Sequence, residues 1–242
     1  LPMGDWCFVR ATRGHDVIVM DERVRHEPMT SGLLVRVRPK AGREDEVEEF
    51  LDAVLRLSTR ERHTETSLLM RFGDGAYALL DLFTDERSRR EHLSGSARQA
   101  IAYRTRDLFD GEPTDLLLDV VGHELPTVAG RARLATGTWL TFDSGAHAPA
   151  ADDELCFSTS GDAAWLAVRT AVGTLAVIDL APTHDGPEPT PLPEVSWRGR
   201  ELRLLSSERF RLLGPDVPEP TITPLPTTPR PTTPLPSTSL PV

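Results

Sequence analysis

Hydrophobic residues in the first half of the chain recur at two different periods, and each period predicts a different element. Residues 33–38, LLVRVR, alternate apolar and charged side chains, as a half-buried strand does, and Pro39 ends the run. The segment 42–58 instead repeats apolar residues at the spacing of one helical face: Val47, Phe50, Leu51, Val54 and Leu55. These patterns predict a strand followed by a helix.

The next segment predicts a hairpin and a second helix. Two strand-like runs within 66–83 flank Gly73-Asp74-Gly75, and Asp-Gly between apolar runs is a strong hairpin signal. Thr84 is a good N-cap for a helix that bends or breaks near 94–96, and 115–121 predicts a fourth strand. This order is that of a ferredoxin-like unit, with a four-stranded antiparallel sheet and both helices on one face. We assign it to residues 31–124.

Beyond about Arg131 the pattern changes to short strand-like runs separated by glycine-containing turns. We therefore expect residues 130–216 to form a β-rich domain, sandwich or barrel-like, which makes the fold class α+β. Its three tryptophans alternate within strand patterns and are expected in the core: Trp139, Trp165 and Trp197.

Both ends of the chain are expected to add little to the core. Residues 1–30 precede the first clear periodicity, and we interpret them as a poorly ordered extension. Residues 217–242 are dominated by Pro and Thr, a composition that buries too little apolar area to offset the entropy of ordering. We expect that segment to be a disordered tail.

Composition and charge exclude several classes of function. The 242 residues carry a net charge of −10, which argues against nucleic-acid binding because no basic field is available for phosphate. No apolar run approaches the roughly 18 residues of a membrane span. Two cysteines without a Cys-x-x-Cys pair indicate a reducing, cytoplasmic location.

Common catalytic motifs are missing from the sequence. The seven histidines show neither His-x-x-x-His nor His-Glu-x-x-His spacing, so a metal site is not expected. There is no Gly-x-Ser-x-Gly elbow and no phosphate-binding glycine loop. Asp143, Ser144 and His147 are close in sequence, but neighbours in one glycine-containing loop rarely reach triad geometry, and a turn is the better interpretation.

Two stretches resemble the antibiotic biosynthesis monooxygenase (ABM) family. LLVRVRPKAGREDEVEEFL looks like the first strand, turn and helix of that family, and YALLDLFTDERSRREHL looks like its third strand and second helix. The family usually has an aromatic residue, most often tryptophan, at the end of that strand and a histidine nine residues later. These positions are Phe83 and His92 here, and phenylalanine lacks the indole N–H.

The resemblance implies a homodimer in which two sheets close an eight-stranded α/β-barrel. Two helices cover only one face of a four-stranded sheet, so a second copy would shield the other face. From strand alternation we expect Val35 and Val37 under the helices. The barrel cavity is then expected to be lined by five residues: Arg36, Arg71, Tyr77, Asp81 and Phe83. His92 is expected to reach into it from the second helix.

The resemblance further implies monooxygenation of an aromatic polyketide or quinol-like molecule without any cofactor. In this hypothesis His92 or Asp81 is the catalytic base, and Arg36 or Arg71 stabilises a phenolate. Tyr77 and Phe83 would stack on the substrate ring.

Each of these residues also has a structural interpretation. His92 fits equally well as a packing residue, and Asp81 with the two arginines fits an ion-pair set. Tyr77 and Phe83 fit an interface core. The alternative function is therefore a non-catalytic dimeric scaffold or a small-ligand-binding protein with an ABM-like fold.

Overall fold

The computed structural model describes residues 9–13, 16–19, 28–125, 134–143, 155–159, 164–170, 173–182, 195–197 and 200–213. The helices are α1 (Glu44–Ser58), α2 (Glu86–Leu93) and α3 (Ser96–Leu108). The strands up to α3 are β1 (Val9–Arg13), β2 (Asp16–Val19), β3 (Ser31–Val37), β4 (Thr66–Phe72) and β5 (Tyr77–Phe83). Those after α3 are β6 (Thr114–Glu124), β7 (Leu134–Asp143), β8 (Leu155–Thr159), β9 (Ala164–Thr170), β10 (Leu175–Pro182), β11 (Val195–Trp197), β12 (Arg200–Glu201) and β13 (Arg203–Leu213).

The architecture is mixed α/β and centres on an antiparallel sheet of eight strands. These strands close a barrel in the order β10-β7-β13-β4-β5-β3-β6-β9. The other strands form a second sheet in the order β12-β11-β8-β1-β2, in which β1 runs parallel to β8. Thus β1 and β2 lie inside the predicted N-terminal extension, whereas the predicted tail at 217–242 lies outside the described residues.

The element order predicted for residues 31–124 is confirmed, with the second helix split into α2 and α3. Strands β4-β5-β3-β6 are neighbours in that order, and α1 and α3 pack on one face of them. Val35 and Val37 lie under the helices, as expected, together with Leu33 and Leu79. This face is closed by the apolar stripe of α1, which buries Val47 and further residues of its repeat.

The opposite face of these strands is the barrel interior, and the second half of the same chain covers it. Leu34, Leu80 and Leu82 pack there against Trp139, Leu166, Ile178 and Phe210 of the second half. Side chains can fill an eight-stranded barrel completely. The apolar surface that was expected to drive homodimerisation is therefore already buried within one chain. Strands from both sides of the expected boundary at 124–130 share one barrel.

The second half repeats the strand arrangement of the first. Its barrel strands occur in the chain order β7, β9, β10, β13 and are neighbours in the order β9-β10-β7-β13, which matches β4-β5-β3-β6. The last strand of each half pairs with the second strand of the other, in β6–β9 and β13–β4. The two halves are thus related as two subunits of a symmetric dimer would be. Between its barrel strands, the described residues of the second half form β8, β11 and β12 where the first half has helices.

Register and sequence agree with this internal repeat. Leu118 pairs with Thr170 at one junction, and Phe210 pairs with Phe72 at the other. Carried along the strands, this match aligns residues 71–83 with 169–181, which share Arg71/Arg169, Gly75/Gly173, Ala78/Ala176, Asp81/Asp179 and Leu82/Leu180. Both aligned glycines have a left-handed backbone, with φ of 80° and 82°, at the two hairpin turns.

Candidate functional site

A buried polar network surrounds His92 between the sheet and the helices. Asp85, rather than the predicted Thr84, is the N-cap of α2, and its side chain accepts a hydrogen bond from the Ser88 backbone N–H. The residues that α2 buries are all polar: Ser88, Arg89 and His92. The His92 side chain is only 3% exposed. A buried imidazole at this depth requires partners for both of its nitrogens.

Two carboxylates supply those partners. His92 Nδ1 lies 2.7 Å from Glu61 Oε2, and His92 Nε2 lies 3.2 Å from Asp81 Oδ2. The Phe83 ring packs against the imidazole with a centroid distance of 5.1 Å and an interplanar angle of 51°. The structure therefore brings together His92, Asp81 and Phe83, and it adds Glu61, which the sequence did not indicate.

Asp81 is fixed by two hydroxyl groups. Its Oδ1 accepts hydrogen bonds from Ser58 Oγ at 2.6 Å and from Ser67 Oγ at 2.5 Å. Ser58 ends α1 and Ser67 lies on β4, opposite Asp81 in the ladder. The carboxylate thus keeps one oxygen for hydroxyl groups and turns the other toward the imidazole. This arrangement limits rotation of the Asp81 side chain.

Glu61 joins His92 to the start of α3. Its Oε1 accepts hydrogen bonds from Ser96 Oγ and from the Ala97 backbone N–H, both at 3.1 Å. A carboxylate in this position caps the helix, and its negative charge interacts favourably with the positive end of the helix dipole. A Cβ atom at Gly95 would lie 2.5 Å from Glu61 Oε1, so the glycine between α2 and α3 makes room for the carboxylate.

The network favours a charged imidazole. Burial alone lowers the pKa of His92, but the hydrogen bonds and negative charges of Asp81 and Glu61 more than offset this. The net result is a pKa of His92 above its ordinary value of 6.5. The arrangement can therefore hold a proton between two carboxylates and release it as the pH rises.

Arg71 and Tyr77 lie elsewhere, at the other end of β5. Arg71 Nη1 and the Tyr77 hydroxyl both donate to Glu48 Oε2, at 3.0 and 3.1 Å. The Arg71 guanidinium lies 5.6 Å from the centre of the Tyr77 ring. Burial, followed by the hydrogen bond and charge of Glu48, raises the pKa of Tyr77 to about 12. This set links β4 and β5 to α1.

Arg36 occupies a third place, where the two halves of the barrel meet. Its Nη2 lies 2.7 Å from Glu208 Oε2 of β13 and 3.5 Å from Asp74 Oδ2 of the β4–β5 turn. Its guanidinium also lies 4.5 Å from the centre of the Phe72 ring. Arg36 thus pairs across the junction between β4 and β13.

The expectation of one cavity inside the barrel was wrong. Tyr77 and Phe83 pack with the helix-facing cluster, whereas Leu80 and Leu82 fill the barrel interior. All seven residues of β5 are buried. Alternation sorts the residues of this strand into two sets, one for each face. Because both faces are covered, it does not show which set packs against the helices. The face predicted for Tyr77, Asp81 and Phe83 is therefore the wrong one.

The residues that the sequence did not reveal carry no local signal. Glu61 lies in the connection between α1 and β4 without any motif, and Ser58 and Ser67 are ordinary residues of an element end and a strand. The sequence does contain one signal for a neighbour of these residues, since the match between residues 71–83 and 169–181 marks Asp81 as part of a repeated strand.

Within the described ranges, no three or more His, Cys, Asp or Glu side chains are arranged to hold a metal ion. No helix in that part of the chain has the length and apolar character needed to cross a membrane.

Comparison with known proteins shows likeness of fold. No family model and no curated protein matches this chain. A protein of unknown function from Nitrosomonas europaea is 26% identical over 42% of this chain and 99% of its own, with a TM-score of 0.40. A protein from Lactobacillus acidophilus NCFM, provisionally described as a monooxygenase, is 8% identical over 77% of this chain and 94% of its own, with a TM-score of 0.51.

An anthrone oxidase-like protein is 8% identical over 77% of this chain and 92% of its own, with a TM-score of 0.47. At such identity the likeness to the Lactobacillus protein shows the fold alone. Its coverage of 77% extends the likeness beyond the first half of the chain.

Proposed function

We propose that this protein is a cofactor-independent monooxygenase of the ABM type that acts on an aromatic polyketide or quinol-like molecule in the cytoplasm. Residues 31–124 are its ferredoxin-like chemical unit. The observation that carries the proposal is the imidazole of His92, which is held between Glu61 and Asp81 and lies against the Phe83 ring. The fold of the Lactobacillus protein supports the same class of reaction.

The chemistry needs a base beside an apolar wall. Neutral His92 accepts a proton from an activated methylene carbon of the substrate, and the two carboxylates stabilise the imidazolium that forms. The substrate carbanion supplies electrons to dioxygen, and a C–O bond forms. One oxygen atom stays as a carbonyl, and the other leaves as water with the two methylene hydrogens. Phe83 offers an apolar surface for the substrate ring.

Substrate access requires movement of α2. The side chains that α2 buries are all polar. One of them, Arg89, donates from Nη1 to the carbonyl oxygens of Gly32 and Leu118 at 3.0 and 2.8 Å. Such a helix is held by a few directional bonds, whereas α1 is held by an apolar stripe. We infer that α2 moves to admit the substrate to Phe83 and His92.

Arg36, Arg71 and Tyr77 do not bind the substrate in this mechanism. Each has carboxylate partners of its own away from His92. The mechanism needs no dimer through the barrel-facing side of the sheet, because the second half of the chain covers that side.

A second candidate function is a non-catalytic scaffold or ligand-binding protein. It is favoured by the burial of the network, since the His92 and Asp81 side chains are 3% and 0% exposed and both imidazole nitrogens have partners within the chain. In this case the network only joins the helices to the sheet.

Oxygen uptake separates the two functions. The purified chain is incubated with a panel of anthrones and quinols, alongside His92→Ala and Asp81→Asn. We expect uptake above the buffer rate with at least one substrate, and a loss of about 100-fold or more in both variants.

The matched controls are His63→Ala, at a half-exposed histidine beside Glu91, and Asp179→Asn, at the aligned aspartate of the second half. Both should keep the parent rate. Full activity in His92→Ala and Asp81→Asn would remove these residues from the mechanism, and no uptake with any substrate would favour the scaffold.

A further inference from the structure

Asp179 is the counterpart of Asp81 in the internal repeat. Asp81 pairs with Ser67 of β4 and Leu33 of β3, and Asp179 pairs with Trp165 of β9 and Thr138 of β7 at the aligned positions. The surroundings of two further glycines match as well. A Cβ at Gly32 would meet Leu118 and the Asp81 carbonyl, and one at Gly137 would meet Phe210 and the Asp179 carbonyl. The two aspartates therefore occupy equivalent positions in the two repeats.

The two carboxyl groups differ in what they contact. Asp81 accepts two hydroxyl hydrogen bonds and faces His92. Asp179 is 9% exposed, and among the described residues its Oδ1 has neither a hydrogen-bond partner nor, unlike Asp81 Oδ2, an ion-pair partner. Burial, with no offsetting charge, raises the pKa of Asp179 to about 6. Burying a carboxyl group without a hydrogen-bond partner costs folding free energy. We therefore expect a donor that binds this carboxyl group.

The side chains around Asp179 are apolar and aromatic. It lies on the face of β10 that also presents Leu175 and Val177, which pack in one cluster with Trp165 and Phe142. The Trp165 indole N–H donates to Glu124 Oε2 at 3.2 Å, so this donor is directed away from Asp179. A donor for the Asp179 carboxylate must then come from outside this set of residues.

We propose that Asp179 marks a second binding site, and that this site takes a small protonated nitrogen heterocycle of the imidazole type. The counterpart position holds an imidazole, that of His92, against a carboxylate and an aromatic ring. A charged N–H donor is the strongest partner for a carboxylate. The site is separate from the one around His92 and does not depend on the proposed oxygenation.

Thermal unfolding of the full chain with imidazole as the probe tests this inference. Imidazole is titrated at pH 7 and constant ionic strength into the parent, Asp179→Asn and Asp119→Asn. Asp119 is a control because its carboxylate is paired with Arg169 near the surface. Weakly basic pyrazole, which has a similar shape, is the control ligand.

We expect imidazole at ten times its Kd to raise the unfolding midpoint of the parent and of Asp119→Asn by about 4 °C. Asp179→Asn should not respond, and pyrazole should have no effect on any of the three. An equal response of the parent and Asp179→Asn, or no response of the parent, would overturn the proposal and leave Asp179 as a buried neutral acid.

Discussion

At the scale of single residues, the protonation of His92 depends on a balance between burial and two carboxylates. Burial lowers its pKa, and Asp81 and Glu61 together raise it further than burial lowers it. A raised pKa means that the network stabilises the fold fully below the unfolded value near 6.5. This contribution is lost as the pH rises through the folded pKa. The network is therefore firmest in mildly acidic solution.

Glu61→Gln should lower the pKa of His92, because one of the two charges that favour the imidazolium is removed. The titration of the imidazole C–H signals by NMR measures this pKa. The variant should also lose about 1 kcal/mol of stability, since a neutral side chain caps α3 less well. Glu91→Gln, beside the half-exposed His63, is the control. An unchanged titration of His92 in Glu61→Gln would contradict the assigned contact.

Asp179→Asn should stabilise the chain above pH 6 when no ligand is added. The folded pKa of about 6 lies above the ordinary 3.8, so stability is greatest below 3.8 and declines as the pH rises through 6. An amide does not ionise, and the variant should therefore gain about 3 kcal/mol at pH 8 and nearly nothing at pH 4. Urea unfolding at the two pH values measures the difference. A gain that is equal at both would show that Asp179 does not titrate as assigned.

At the scale of elements, the break between α2 and α3 gives Glu61 its place. Gly95 lies so close to the carboxylate that a methyl group there would displace it. On the α2 side of the break, His92 Nε2 lies 3.2 Å from Asp81 Oδ2 of β5. A local irregularity that resembles a simple helix interruption is thus part of the polar network.

Gly95→Ala should cost about 1–2 kcal/mol, because Glu61 leaves the start of α3 and His92 loses a partner. Gly73→Ala is the matched control, since a Cβ at Gly73 meets nothing within 4 Å. Denaturant unfolding measures the stability of both variants, and the NMR titration of His92 should move only in Gly95→Ala. Equal stability of the two variants would mean that Glu61 adjusts without loss.

The elements of the first half were predictable from period and turn chemistry, but the site was predictable only in part. A family resemblance points to Phe83 and His92, and alternation along β5 points to Asp81. The sequence does not show that they lie under the helices, because every residue of β5 is buried and both faces of the strand are covered. Glu61, Ser58 and Ser67 converge from separate elements, and only the folded chain brings them together.

At the scale of the whole molecule, one chain builds a barrel that we expected two chains to build. The second half repeats the strand order of the first and buries the same kind of face, so the interior is shared between them. The sequence does not show this sharing directly, because the second half lacks helical periodicity and its strand pattern also fits an independent domain. The short match around Asp81 and Asp179 was the signal in the sequence that pointed to a repeat.

Equilibrium unfolding of the full chain tests this shared barrel most directly. Circular dichroism reports on α1 and α3 of the first half, and tryptophan fluorescence reports mainly on the second half, which holds three of the four tryptophans: Trp139, Trp165 and Trp197. We expect the two signals to change together in one transition whose midpoint does not depend on protein concentration. Two separate transitions would mean independent domains, and a midpoint that rises with concentration would mean that a second copy completes the fold.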